Sequence, residues 1–335
     1  MKTINLCHKA FIVLVIEKKE SVEMKTIVKK IVCKLVNKLN HQVKKTWWYK
    51  SNYSDAVKMK NWQAFNLELV TLGSSAVKYG LDYSGYKINA ANWAMAPQNT
   101  ATSFAILKNY HSFIKENGQL LLMLCPLQGM VIDYNKEFYD KYHYFLHPIL
   151  VKHFSEETLK RVRKTIDYPA LDNPKASVKL VIKNLLGKAN KPQYSNAKTD
   201  AQNRINAWKK EFSVENFSDQ LSESNLKAIE YNTNLFCEMI EFCKERSLKP
   251  ILGIMPTTKT LKDHIPTDFM QRAFYDMVQK VIAHTNVPFL DYYNSSEFES
   301  EDLYLDSFLL NEKGRKLFTD RVLKDLNFST DRKYK

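Results

Sequence analysis

Apolar residues between positions 24 and 45 recur at three- and four-residue steps. Ile27, Val28, Ile31, Val32, Leu35, Leu39 and Val43 mark one stripe, and Lys25, Lys29, Lys30, Lys34, Lys38 and Lys45 fill the rest. That spacing predicts an amphipathic helix, with Trp47, Trp48 and Tyr49 directly after it. From residue 66 the pattern changes to short continuous apolar runs bounded by Gly or Pro. The runs at 66–72, 86–91, 119–125, 250–255 and 287–290 read as strands, with a loop over 92–99. Residues 100–117, 225–246 and 311–326 keep helical spacing between them. Strands apolar on both faces, separated by helices, predict an α/β domain with a parallel sheet covered on two sides, a three-layer α/β/α arrangement. Residues 130–249 are rich in Tyr, Phe and Lys and contain no convincing strand. They read as a helical insertion over the carboxyl edge of the sheet, where open α/β proteins place their sites. Within the insertion, 142–154 reads as an aromatic-rich helix and 190–200 as a polar loop. The expected organisation is a basic extension over 1–60 and an α/β domain over 61–330, with the insertion at 130–249.

Charge sharpens this division. The chain of 335 residues carries +14 at pH 7, and residues 1–60 hold 14 Lys against Glu17, Glu20, Glu23 and Asp55, a net +10. The body therefore carries only +4, ordinary for its size, and offers little reason to expect a nucleic-acid surface. The 44% hydrophobic and 26% charged fractions fit a globular chain. Five scattered cysteines without Cys-x-x-Cys spacing point to free thiols in a reducing compartment. The apolar run at 10–16 falls far short of the roughly 20 residues of a membrane span. Glu17-Lys18-Lys19-Glu20 follows it where a signal peptide would carry small residues. The expectation is a cytoplasmic protein, peripheral at most to a membrane, with no signal peptide and no transmembrane helix. Met1-Lys-Thr-Ile recurs at Met24, giving two candidate starts. A lysine-faced helix ending in aromatics suits an anionic membrane interface through residues 24–49. The same composition serves a helix docked on its own domain, or a calmodulin-type target.

Candidate chemistry begins at Gly73-Ser74-Ser75, which follows the first core strand. Glycine permits a tight turn, and a serine beyond it stands where a nucleophile is exposed; an N-cap serine in an ordinary strand-to-helix turn has the same appearance. Residues 68–79, ELVTLGSSAVKY, resemble the first block of the SGNH/GDSL hydrolases, with Gly-Ser-Ser in place of Gly-Asp-Ser. Asn92-Trp-Ala-Met-Ala-Pro97 is similar to their second block. Residues 303–314, LYLDSFLLNEKG, resemble their last block, which typically reads D-x-x-H-L-N-x-x-G. The likeness spans about 66–130 and 248–326, and is nearest to divergent members that modify bacterial cell-surface polysaccharide and teichoic acid. It implies about five parallel strands in flavodoxin-like order and acyl transfer or ester hydrolysis on a sugar or surface polymer.

Carried over by position, the resemblance implies Ser75 as nucleophile and Asp306 as the acid that orients a base. Gly73, Ser74, Asn92 and Gln128 stand where oxyanion or substrate contacts are expected. Three positions depart from the pattern. Leu309 occupies the histidine position, Pro97 occupies the second-block glycine and has no amide N–H, and the third block near Leu124-Cys-Pro-Leu-Gln128 lacks its usual asparagine. His264, in the loop after the fourth strand with Asp263 beside it, is the candidate substitute base; His143, His147 and His153 fall in the insertion. Cys125 reads as a small buried hydrophobe. No Walker loop, dinucleotide fingerprint, zinc-type spacing or EF-hand is found, so no cofactor and no metal are expected. Two readings follow: an acyl hydrolase or O-acyltransferase with a rearranged site, or a catalytically silent relative that binds a glycan or a biosynthetic partner.

Overall fold

The computed structural model describes residues 22–187 and 194–333. The apolar run at 10–16 and the Met1 repeat lie outside the described residues. In chain order the main elements are α1 (Val22–Lys45), α2 (Trp47–Lys60), β1 (Leu67–Leu72), α3 (Ser75–Gly80), β2 (Ala90–Asn92), α4 (Thr100–Tyr110) and β3 (Ile114–Leu124). They continue with α5 (Glu156–Asp167), α6 (Pro174–Leu185), α7 (Ala197–Glu211), α8 (Glu223–Lys244), β4 (Lys249–Ile254), α9 (Asp276–Thr285), β5 (Phe289–Asp291) and α10 (Glu312–Asp325). They belong to two compact units, one within Met1–Trp62 and Tyr139–Pro192, the other within Gln63–Phe138 and Gln193–Lys335. The stretch 130–249 is thus divided between them.

The larger unit holds one sheet of five parallel strands in the order β2-β1-β3-β4-β5. Its central strands are apolar on both faces: Leu69, Val70, Leu120, Leu121, Leu252 and Ile254 are fully buried. Only helices covering both faces satisfy such strands. On one side α8 packs against α4, α9 and β4; α10 packs against α3. This is the three-layer α/β/α arrangement with the flavodoxin-like strand order.

Local differences from the sequence expectation have physical causes. The second strand is Ala90–Asn92, displaced from 86–91, because only these residues pair with Leu69, Val70 and Thr71. The helix expected over 100–117 ends at Tyr110, followed by a 3₁₀ turn at His111–Phe113. The chain then enters β3 at Ile114, beside Leu67. Asn117 sits in the left-handed region (φ 58°) ahead of Gly118, a conformation that no α-helix continues through. Of the polar segment 190–200, the residues up to 193 lie outside the described residues, 194–196 are loop, and α7 begins at Ala197, where the Asn196 side chain accepts from Thr199 N and caps it.

In the smaller unit the expected helix at 24–45 is present as α1. The aromatics after it are not a terminal flag but the first turn of α2, capped by Thr46. In place of the expected helix over 142–154, the chain has the end of the 3₁₀ segment Lys136–Tyr144, the 3₁₀ turn Pro148–Leu150, and irregular chain between and after them. Val43, Tyr49, Met59, Tyr142, Val162 and Ile166 are buried here.

Candidate functional site at the end of β1

The first core strand ends in a turn that only glycine fits. A Cβ on Gly73 would stand 2.5 Å from the Met123 carbonyl oxygen of β3, a backbone atom locked in the sheet. The close approach lets the chain leave the sheet edge and start α3 at Ser75. Ser74 is the residue before the helix, yet its hydroxyl caps nothing; it lies 3.3 Å from the Cys125 Sγ at the end of β3. The half-buried Ser75 hydroxyl has no hydrogen-bond partner among the described residues. Tyr79, one helical turn further on the same face, is exposed.

Gln128 comes to this corner from the loop after β3. Leu127 adopts a left-handed conformation (φ 63°), and the Gln128 Oε1 accepts from the Cys125 backbone N–H at 3.0 Å. Its Nε2 has no partner among the described residues and remains a donor. Cys125 is buried as expected, and burial pushes its thiol up to about 11. The Ser74 hydroxyl, the Ala76 N–H and the charge of Arg204 offset this only in part. At neutral pH it is a protonated thiol, not a nucleophile.

Asn92 has a structural task. Its Nδ2 donates to the carbonyls of Val77 and Leu81, both at 3.0 Å, and its Oδ1 accepts from Ala94 N. These bonds tie the last turn of α3 to β2 and leave no donor for an oxyanion. Pro97 follows at a cis peptide and offers no N–H.

Asp306 is buried and has partners at both oxygens. Its Oδ1 accepts from the backbone N–H groups of Phe308 and Leu309, each at 2.7 Å, and its Oδ2 lies 3.4 Å from the Arg204 Nη2. Arg204 also pairs with Asp200 at 3.1 Å, one turn earlier in α7, and rests over the Phe308 ring. Asp200 in turn accepts from the backbone and hydroxyl of Ser307. The sequence reading missed this Asp200–Arg204–Asp306 network; its one local trace was the i,i+4 spacing of Asp200 and Arg204. Tyr194 lies close by: its hydroxyl is shifted up by burial first, then by the neighbouring charges of Tyr79 and Asp306.

His264 is exposed, and among the described residues no hydrogen bond links it to Ser75 or Asp306. Asp263 does not orient it, because both Asp263 oxygens lie 2.7 Å from Lys259 Nζ. Its neighbours Lys262, Asp263 and Ile265 line a cavity of about 670 Å³ with Tyr275 and Tyr293, to which none of Ser75, Gln128 or Asp306 contributes. His143, His147 and His153 belong to the smaller unit, where the buried His143 sits between Tyr139 O and Ser155 N. No cluster of three metal-binding side chains occurs among the described residues, and none of their helices is long and apolar enough to cross a membrane.

The structure thus gathers Gly73, Ser74, Ser75, Cys125 and Gln128 at one corner, and Asp200, Arg204 and Asp306 at another close enough for the Arg204 charge to act on Cys125. No protein-family model matches this chain, and no curated protein matches it. Among solved structures it is similar to the lipase/acylhydrolase from Enterococcus faecalis, with 9% sequence identity and a TM-score of 0.37, over 78% of this chain and 95% of that one.

Proposed function

We propose that the chain is a catalytically silent relative of the SGNH-type hydrolases that binds a neutral sugar at the end of β1. The observation that carries this reading is the pairing of Asp306. In a working triad the acid accepts from a histidine N–H and fixes its tautomer. Here both Asp306 oxygens are engaged by two backbone N–H groups and Arg204, and Leu309 stands where the base belongs. Losing a general base costs roughly 10²–10⁴-fold in rate, and a missing oxyanion donor about another 10²–10³.

The surroundings favour a neutral polyhydroxylated ligand. Arg204 is outnumbered by Asp200 and Asp306, so the corner repels an anion. The Ser75 hydroxyl and the Gln128 Nε2 offer neutral hydrogen bonds, and the exposed rings of Tyr79 and Tyr194 offer apolar faces with a polar tip. Binding of full-length protein to a panel of immobilised neutral oligosaccharides tests this. Tyr79→Ala and Tyr194→Ala are expected to weaken binding about tenfold each. Binding that survives both substitutions together contradicts the assignment.

A second reading, an acyl-ester hydrolase or O-acyltransferase using Ser75, is favoured by one observation: among the described residues the Ser75 hydroxyl is unpartnered, one residue from the corner that holds the unpartnered Gln128 Nε2. It requires a base from another position, because Leu309 cannot accept a proton. Turnover of p-nitrophenyl acetate that Ser75→Ala abolishes selects this reading over the first.

A further inference from the structure

We propose that α1 and α6, both in the smaller unit, form one composite docking surface for an anionic lipid bilayer. The two helices pack against each other. Asn40 of α1 fixes the approach by accepting from Ala170 N at 2.8 Å, and the buried Ser177 of α6 donates to Pro169 O at 3.1 Å.

Along α1 one i,i+4 ridge runs through Ile27, Ile31, Leu35, Leu39 and Val43. Its lower end is core, with Val43 fully buried, while Ile27, Ile31 and Leu35 are 53, 52 and 61% exposed. Among the described residues the ridge therefore passes from buried at its lower end to exposed at its upper end. On α6 the same spacing brings out Val178, Ile182 and Leu185, the last 75% exposed. Single exposed apolar residues are ordinary, but two helices packed together, each presenting three at helical spacing, are a feature of the kind that marks an interface.

Charge decides the occupant. Residues 26–54 and 173–187 carry ten lysines and not one Asp or Glu. Lysines flanking an apolar helix face suit an anionic headgroup layer, with the apolar side chains entering the acyl boundary and the ammonium groups at the phosphates. A second copy of the chain would bring two such lysine sets together, a repulsive contact. Tyr49 is not part of the surface: it is buried and its hydroxyl donates to Ile166 O at 2.8 Å. Of the aromatic trio after α1, Tyr49 serves the unit's own core while Trp47 is exposed, and α6 supplies the second half of the face.

The test is co-sedimentation of the full chain with phosphatidylcholine vesicles, with and without phosphatidylserine. The wild type is expected to bind the phosphatidylserine vesicles, more weakly as salt rises. Ile31→Glu/Leu35→Glu and Ile182→Glu/Leu185→Glu are each expected to lower partitioning at least about tenfold. Because all four side chains are exposed, both variants should keep the wild-type circular dichroism spectrum and melting profile. Failure of the wild type to bind, equal binding to both vesicle types, or full binding by the α6 variant overturns the proposal.

Discussion

Replacing Asp306 separates a structural carboxylate from a catalytic one. In Asp306→Ala the backbone N–H groups of Phe308 and Leu309 lose an acceptor at 2.7 Å in a buried loop. An orphaned buried donor costs roughly 1–3 kcal/mol, so the pair costs about 2–6 kcal/mol. Arg204 adds less, since it keeps Asp200 at 3.1 Å. Asp306→Asn retains an oxygen for both N–H groups and loses only charge assistance, about 1 kcal/mol. The assay is urea unfolding of both variants, followed by amide hydrogen exchange over residues 303–311. Asp306→Ala should expose Phe308 and Leu309 to exchange, and Asp306→Asn should leave them largely protected. Trp208, stacked edge-on against Phe308 at 5.7 Å, supplies a local fluorescence signal. Unchanged protection in Asp306→Ala, or a stability within about 0.5 kcal/mol of wild type, refutes the reasoning.

Gly73→Ala should destabilise the larger unit by about 1–3 kcal/mol, read by the urea midpoint, because the new Cβ meets the Met123 carbonyl. Asn92→Ala should cost about 1–3 kcal/mol and speed exchange in α3, since it removes the donor held by Val77 O and Leu81 O; an unchanged α3 would return Asn92 to the ligand-binding candidates. Cys125, pushed up by burial to about 11 from 9.0, should resist iodoacetamide at pH 8 while the less buried Cys33 reacts. Because its folded value is the higher one, its contribution to stability is full below pH 9 and is lost as pH rises towards 11. Cys125→Ala should therefore flatten the fall in urea midpoint over that interval, and an identical slope in wild type and variant contradicts the assignment.

The sheet was legible because the inner parts of β1, β3 and β4, at 69–72, 120–124 and 250–254, are near-continuous buried runs, which a doubly covered parallel strand tolerates. β2 was misplaced because Ala90-Ala91-Asn92 has little apolar content of its own; its pairing with β1 makes it a strand. α2 was not read as a helix because Trp47–Lys60 mixes lysines and aromatics on every side. Ser75 was placed correctly at the start of a helix after β1, since Gly-Ser-Ser beyond an apolar run is a local signal. What Asp306 pairs with was not legible: Arg204 lies 102 residues away in sequence, on a helix whose polar start reads as loop. The same holds for His264 and Ser75, whose separation depends on how the loops after β1 and β4 are held.

The central claim is that Ser75 has no activating base, and intact-protein mass after incubation with a fluorophosphonate probe tests it directly. Wild type and Ser75→Ala are predicted to give the same unmodified mass on folded protein. A single adduct on the wild type that Ser75→Ala removes would show an activated serine and contradict the account.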